Sequence, residues 1–500
     1  MVLIDYKEAP EGLQVVPLWI SGSAQTITSP STLFPVTSSI KDTAIHHAVS
    51  CDPPTATLAV DAAATAFKTW RLTAPTHRRS LLLKAADILE RRAEQIMAAQ
   101  VAETSCPRPF AQFNVESGVT YIREIAAATS ELRGTVPQRA TGPDGKELGG
   151  LTVVVREPIG VVLVIPPWNG AVVLPVRAIS MALAAGCTIV IKASELCPQT
   201  HHLIVSCFEE AGIPAGVLNI IQVRREDAAP VVEAIVSHKA IRKVDFIGSA
   251  AVGSKIGQVC AKYLKPILME LGGKGPALVL EDADLAKAAS LCAIGATLDH
   301  GQLCFSTERI IVHKSVYDEF IPHLTAAMSQ IPSAGNSVTK QSAVHAYEVL
   351  ADAQEKGAKF LVGGLEHLSP TSLKPTLVAN ISPDARIRDE ETFGPSASVY
   401  VVQSDEEAIT LANDSAYGLN AAVHSKSWEH AYTVGSQLEY GQVHINAMTP
   451  TASPGGPMRG VKGSGWGQSN SIWGIHEFSV EKSLYFHPSA GSVAMIPGGH

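Results

Sequence analysis

Between Val161 and Ile247 the chain repeats one unit: an apolar run of strand length, a loop, and a stretch with helical spacing. Val161–Ile165, Thr188–Ile191, Val217–Ile221 and Lys243–Ile247 read as strands, and Val176–Ala185, His201–Ala211 and Ala228–Ser237 as the helices between them. Pro230 is tolerable in its helix because it falls in the first turn. Aliphatic runs without polar alternation fit strands buried on both faces, with the helices as cover. The pattern predicts a doubly wound parallel sheet, whose strand ends are where nucleotides bind.

Flanking segments extend the α/β reading. Helix is expected from Ala62 onward and along the basic run beginning Arg78-Arg79, whose Leu81, Leu82, Ala85 and Leu89 share a face; a second long helix is expected over roughly Phe113–Leu132. Residues 20–60, rich in Ser, Thr and Pro, suggest loops and short strands. Gly142-Pro-Asp-Gly145 signals a turn, and Leu151–Arg156 a strand of a projecting hairpin. A second α/β series follows: Ala277–Leu280, a helix from Leu285, Arg309–Val312, a helix from Val316, and Ser396–Val402. The expected units are residues 1–134 with 158–271, then 272–475, with 135–157 and 476–500 as a small β element.

Bulk properties exclude several classes. With 500 residues, 46% of them hydrophobic, the chain can build two to four folding units. A net charge of −8 without basic clusters argues against nucleic acid as a partner. The most apolar stretch, Ala178–Ile191, holds Ser180, Gly186 and Thr188 and reads as a buried helix running into a strand, not a membrane span. Asp5, Lys7 and Glu8 interrupt any signal-peptide core, so the cytoplasm is the expected location. No Cys-x-x-Cys occurs among the eight cysteines; reduced thiols are expected, most of them buried, and no metal.

The Gly-x-Gly-x-x-Gly fingerprint follows none of the strands. Gly248-Ser249 through Gly253 follows the strand ending at Ile247 and opens a helix, where N-terminal amides can face an anion. Ile165-Pro-Pro-Trp168-Asn169 follows one strand and Lys192-Ala-Ser194-Glu195 the next. Glu270-Leu271-Gly272-Gly273-Lys274 comes later, then Gly301-Gln302-Leu-Cys304, then Glu390-Glu391-Thr-Phe393-Gly394-Pro395.

In this order and spacing the chain resembles the aldehyde dehydrogenase superfamily over about residues 55–482. It looks most like the branch of salicylaldehyde and vanillin dehydrogenases, through Val176–Met181, Lys192–Cys197 and Cys304–Arg309. The resemblance implies an NAD-binding domain, a catalytic domain carrying Cys304, and a β element for a homodimer or homotetramer. It implies a Cys304 nucleophile, an oxyanion hole of the Asn169 amide and the Cys304 N–H, and Glu270 as general base. Chemistry agrees: a thiolate can add to a carbonyl and make the carbon that loses hydride, and the oxyanion so formed needs fixed donors. NAD contacts are implied for Ile165, Trp168, Lys192, Ser194, Glu195, Gly248, Ser249, Gly253, Leu271, Glu391 and Phe393. Glu195, accepting from both ribose hydroxyls, favours NAD over NADP. The expected reaction is oxidation of a hydroxylated aromatic aldehyde to its acid. A semialdehyde or broad aliphatic specificity, or a non-catalytic relative, are the alternatives.

Departures from the family pattern mark the rest. Ile247 replaces the usual Thr, and the link Gln222–Asp227 lacks the family's glycine. Asp299-His300 replaces an amide pair and either perturbs the nucleophile or faces away. Met458-Arg459 stands where Phe-Gly is usual. Arg177 is read either as a tunnel residue that binds a substrate hydroxyl or carboxylate, with Phe305 and Met458, or as an exposed helix arginine.

Overall fold

A computed structural model describes residues 3–27, 29–138 and 150–486. Helix α1 (Arg108–Ala128) packs on the helices Pro75–Arg91 and Val173–Ala185 beside the first of two large sheets. That sheet is built from β1 (Val161–Ile165), α2 (Val173–Ala185), β2 (Thr188–Lys192), α3 (Pro198–Glu210), β3 (Leu218–Ile221), α4 (Ala228–Ser237), β4 (Ile241–Ile247), α5 (Ala250–Lys262) and β5 (Ile267–Glu270). Its central order is β5-β4-β1-β2-β3, all parallel, and Trp19–Ile20 and Ser23–Ala24 extend the β3 edge. The strands are buried on both faces, as the unalternating runs require. Val162, Val164, Ile189 and Ile191 pack to one side, and Val161, Leu163, Ile165 and Val190 to the other.

The chain leaves this sheet at Glu270 and opens the second at β6 (Gly275–Val279). With α6 (Leu285–Thr297), β7 (Thr307–His313), α7 (Lys340–Glu355), β8 (Thr376–Ala379), β9 (Ser396–Val402), β10 (Asn420–His424) and β11 (Gln442–Ile445), it forms a seven-stranded sheet edged by Lys359–Val362. The run 272–475 does not stay there. β12 (Gly465–Trp466) pairs antiparallel with Met269 and Glu270, closing the open edge of the first sheet, and α8 (Ser471–Glu477) packs on α1 and α2.

Local chemistry explains where the observed elements differ from expectation. The helical stretch after Ala62 is two helices, Pro53–Trp70 and Pro75–Arg91, because Ala74 before Pro75 is extended (ψ 143). α1 begins at Arg108 rather than near Phe113, and α3 at Pro198 rather than His201; proline suits a first helical turn. Strand Leu151–Pro158 pairs over its full length with Ser479–Phe486, and Val154 also bridges antiparallel to Thr135 on the near side of the expected hairpin turn. The turn Gly142–Gly145 lies outside the described residues. No described helix is long and apolar enough to cross a membrane.

Gly465 sits at φ +109, and a Cβ there would meet the Met269 carbonyl oxygen at 2.2 Å. Gly465→Ala should destabilise the fold by more than about 1–2 kcal/mol, seen as a lower melting temperature, because it adds a clash to left-handed strain.

Candidate active site

Cys304 follows a turn in which Asp299 (φ 49), His300 (φ 60) and Gly301 (φ 71) are all left-handed. Such backbone costs ~1–2 kcal/mol for each non-glycine residue, so the turn persists only because it is anchored. His300 Nε2 accepts from the Leu373 N–H at 3.0 Å, and its Nδ1 lies 3.2 Å from Ser337 Oγ. Gln302 donates to the carbonyls of Asp299 and Asn336 and accepts from the Val338 N–H. Burial lowers His300 to about 4 and raises the Asp299 carboxyl well above its usual range. They hold the loop. The charges that bear on the Cys304 thiol are Glu270, Glu391 and Arg177.

All eight cysteines are free; seven are buried and Cys304 is partly exposed. The Cys304 thiol donates to Glu270 Oε1 over 3.8 Å. Burial, then the Glu270 and Glu391 carboxylates, push it well above the ordinary thiol value. The resting group is therefore a thiol whose proton points at a carboxylate.

Arg177 is not an exposed helix residue: it is 2% exposed. Its Nη2 donates to Glu270 Oε2, and its Nη1 donates to Met458 Sδ at 3.0 Å. Two arms of the guanidinium are thus engaged within the site, one on Glu270 and one on the thioether that replaces the family's aromatic residue.

Two cavities meet at Asn169 and Cys304. One, about 340 Å³, is lined by Arg177, Phe305 and Met458, and also by Phe110, Asn114 and Tyr121 of α1. The apolar spacing of α1 conceals this second duty, since the same residues read as core. The other cavity, about 520 Å³, is lined by Trp168, Gly248, Ser249, Leu271, Glu391 and Phe393, and by Ile247 in place of the family's usual Thr. Ser342 and His345 of α7 and Arg225 also reach it; no short motif points to them. The Asn169 amide donates to the Gln302 carbonyl at 2.9 Å, which fixes it beside the nucleophile loop.

Close backbone approach builds the far wall. A Cβ on Gly272 would lie 2.4 Å from the Glu391 carboxylate, and one on Gly273 2.3 Å from the Cys304 carbonyl oxygen. The Gly273 N–H donates to Glu391 Oε1 at 2.9 Å. Burial and then Glu308 raise Glu391 to about 8. Behind it, buried Lys274 bonds Glu308, the Glu390 carbonyl and Thr392, while Glu308 accepts from the Thr392 and Phe393 N–H groups. Trp168 and Phe393 meet edge to face at 6.0 Å.

A nicotinamide dinucleotide fits the larger cavity. Ser249 caps α5, accepting from the Val252 N–H, so the helix N-terminus opens on the cavity, and Gly248 beside it packs against the Phe246 ring, which a Cβ would meet at 2.6 Å. Lys192 and Glu195 are paired at 3.2 Å just past β2, and Ser194 sits in the same turn. These three and Ile165 lie at strand ends outside the cavity wall. Gly253 does not reach the wall either: a side chain there would strike Leu271 at 2.6 Å, so its smallness serves packing.

Replacing Arg177 with Met would leave Glu270 buried without its cation, and should destabilise the protein by ~3–5 kcal/mol, read as earlier thermal unfolding. Alkylation of Cys304 by iodoacetamide should keep accelerating as pH rises past the ~8.5 of an ordinary thiol, because its thiolate appears only above a raised pKa.

The chain matches the aldehyde dehydrogenase family over residues 26–484. It is 38% identical to a salicylaldehyde dehydrogenase of Pseudomonas putida over 442 residues, 86% of this chain and 89% of the relative. It is 39% identical to a vanillin dehydrogenase of Pseudomonas sp. (strain HR199 / DSM 7063) over 474 residues, 93% and 96% of the two chains. The crystal structure of a salicylaldehyde dehydrogenase from Pseudomonas putida G7, complexed with salicylaldehyde, superposes with a TM-score of 0.91 at 34% identity, covering 96% of this chain and 99% of that one. Members of the family use NAD or NADP. With a thiol, a carboxylate and an amide at the junction of its two cavities, the chain belongs to the aldehyde dehydrogenase family and is an enzyme that oxidises aldehydes to acids.

Proposed function

We propose that this enzyme uses NAD to oxidise a hydroxylated aromatic aldehyde through a thioester on Cys304. The observation that carries the reading is that Cys304 stands where the two cavities meet, with Glu270 and Asn169 beside it. Glu270 accepts the thiol proton along the existing 3.8 Å contact, and the thiolate adds to the aldehyde carbon. The Asn169 amide and the Cys304 N–H stabilise the oxyanion. NAD held against Trp168, Ser249 and Glu391 in the larger cavity would supply the hydride acceptor for that carbon. A thioester remains. Glu270, having released its first proton, takes another from water; hydroxide adds to the carbonyl, the C–S bond breaks, and Cys304 leaves as thiolate.

The substrate class rests on the smaller cavity. Phe110 and Phe305 offer apolar faces, while Asn114 Oδ1 is buried with no partner among the described residues and can accept from a ring hydroxyl. The named relatives act on salicylaldehyde and vanillin. For the cofactor, the Glu195 carboxylate, lying beside Lys192, suits two free ribose hydroxyls and repels a 2′-phosphate. Residues 1–134 with 158–271 would serve the cofactor, with Ser471–Glu477 packed onto them, and 272–475 would present the nucleophile. The ribbon of Leu151–Pro158 and Ser479–Phe486 exposes Val480, Leu484 and Tyr485, which suits a homodimer or a homotetramer. Eight free thiols fit a reducing compartment such as the cytoplasm.

NADH absorbance with benzaldehyde, salicylaldehyde, vanillin and hexanal tests the reading. Wild type should favour the aromatic substrates with NAD, Cys304→Ala should form no NADH, and Asn169→Ala should lose ~10²–10³-fold in rate. Faster turnover of hexanal would move the assignment to aliphatic aldehydes.

A further inference from the structure

The charge beneath Glu270 continues away from the site. In the parallel pairing of β4 with β5, Asp245 stands opposite Leu268 and Ile247 opposite Glu270, so Lys243, Asp245 and Glu270 share one face. That face is covered by α2, which carries Arg177, and by the end of α8, which carries Glu477. From the surface inward the charges alternate: Glu477, Lys243, Asp245, Arg177, Glu270. Lys243 Nζ donates to Glu477 at 2.6 Å, and Arg177 donates to Glu270. Between these two pairs lies Asp245, 2% exposed, whose Oδ2 has no partner among the described residues; Arg177 Nε, also buried, has none either. Arg177 is the cation that bears most on Asp245, ahead of Lys243. Tyr121 of α1 is the further titratable group facing Arg177 and Glu270.

We propose that Asp245 is a positioning residue acting through Arg177: it is the second carboxylate of the guanidinium, and holds its charge whenever Glu270 is protonated. The inference rests on Glu270 being the general base. When Glu270 takes a proton, from the thiol or from water, a new O–H bond forms on its carboxyl and its negative charge disappears. The proton's former partner leaves as thiolate or adds to the thioester carbon as hydroxide. Arg177 cannot give up a proton, and burial denies it water, so without Asp245 each such step would leave a naked buried cation. Asp245 Oδ2 and Arg177 Nε, both buried and without a partner among the described residues, are the acceptor and donor free to pair.

Burial raises Asp245 to about 7, against Arg177 and Lys243. Its carboxylate is therefore present above that pH and lost below it. Steady-state turnover of wild type should fall as pH drops through about 7. Asp245→Asn should be slower at high pH, on the order of tenfold and so less than loss of the base itself, and should lack that acid limb. Added to Glu270→Gln, Asp245→Asn should leave Cys304 alkylation by iodoacetamide unchanged, because residue 270 no longer changes charge. Wild-type rate and pH profile in Asp245→Asn would overturn the proposal, as would an equal loss in the Glu270→Gln background, which marks a merely structural role. Should Asp245→Asn fail to fold, the crystal structure of Glu270→Gln decides: Arg177 within hydrogen-bond distance of Asp245 supports the proposal, and Arg177 remaining on the substituted amide alone overturns it. Full turnover by Glu270→Gln would remove the general-base reading itself.

Discussion

Four residues, Leu271 to Lys274, carry the chain from one sheet to the other, and the site depends on how closely they pass. Glu270 ends β5 and Gly275 begins β6. In between, Gly272 lies against the Glu391 carboxylate and Gly273 against the Cys304 carbonyl, at distances that admit no side chain. The link therefore sets the base, the nucleophile and the far wall of the cofactor cavity in one frame. Lys274 extends that frame by gripping the Glu390 carbonyl and the Thr392 hydroxyl from behind. A movement of the link would shift all of these groups together.

Around it, the protein uses burial to set charge. The Cys304 thiol is pushed toward its neutral form by its desolvation and by Glu270 and Glu391. Burial pushes Asp299 up and His300 down, and the His300 ring anchors the strained turn that carries both. The ion pair beside the nucleophile, Arg177 with Glu270, is buried, and such pairs are sensitive to loss of either partner. This is why a residue as remote as Asp245 bears on the chemistry.

Most strands of both sheets are legible because a doubly covered parallel strand is apolar at most positions, and helices between such strands leave little choice of topology. Boundaries fail at prolines, where a first helical turn reads as loop. The motif residues Trp168, Ser249, Glu391 and Phe393 fall on one cavity wall, since each follows a strand end or turn that aims it there. Gly253 illustrates the opposite case: it lies within the same motif, yet the space its missing side chain leaves is filled by Leu271. Arg177 is ambiguous in the sequence because an arginine on a helix has no intrinsic face. Only the approach of Met458 from a loop 281 residues away, and of Glu270 from β5, shows that it is buried.

By itself the sequence determined the parallel α/β organisation, the family, and the identity of the thiol, the carboxylate and the amide, because these reside in local patterns of apolar runs, glycines and turn residues. Tertiary structure alone decided what surrounds them. The return of Gly465–Trp466 to the first sheet, the service of α1 as a cavity wall, and the alternating buried charges from Glu477 to Glu270 all join residues far apart in the chain. Burial and Coulomb interaction depend on distance in space, and no spacing along a sequence encodes that distance.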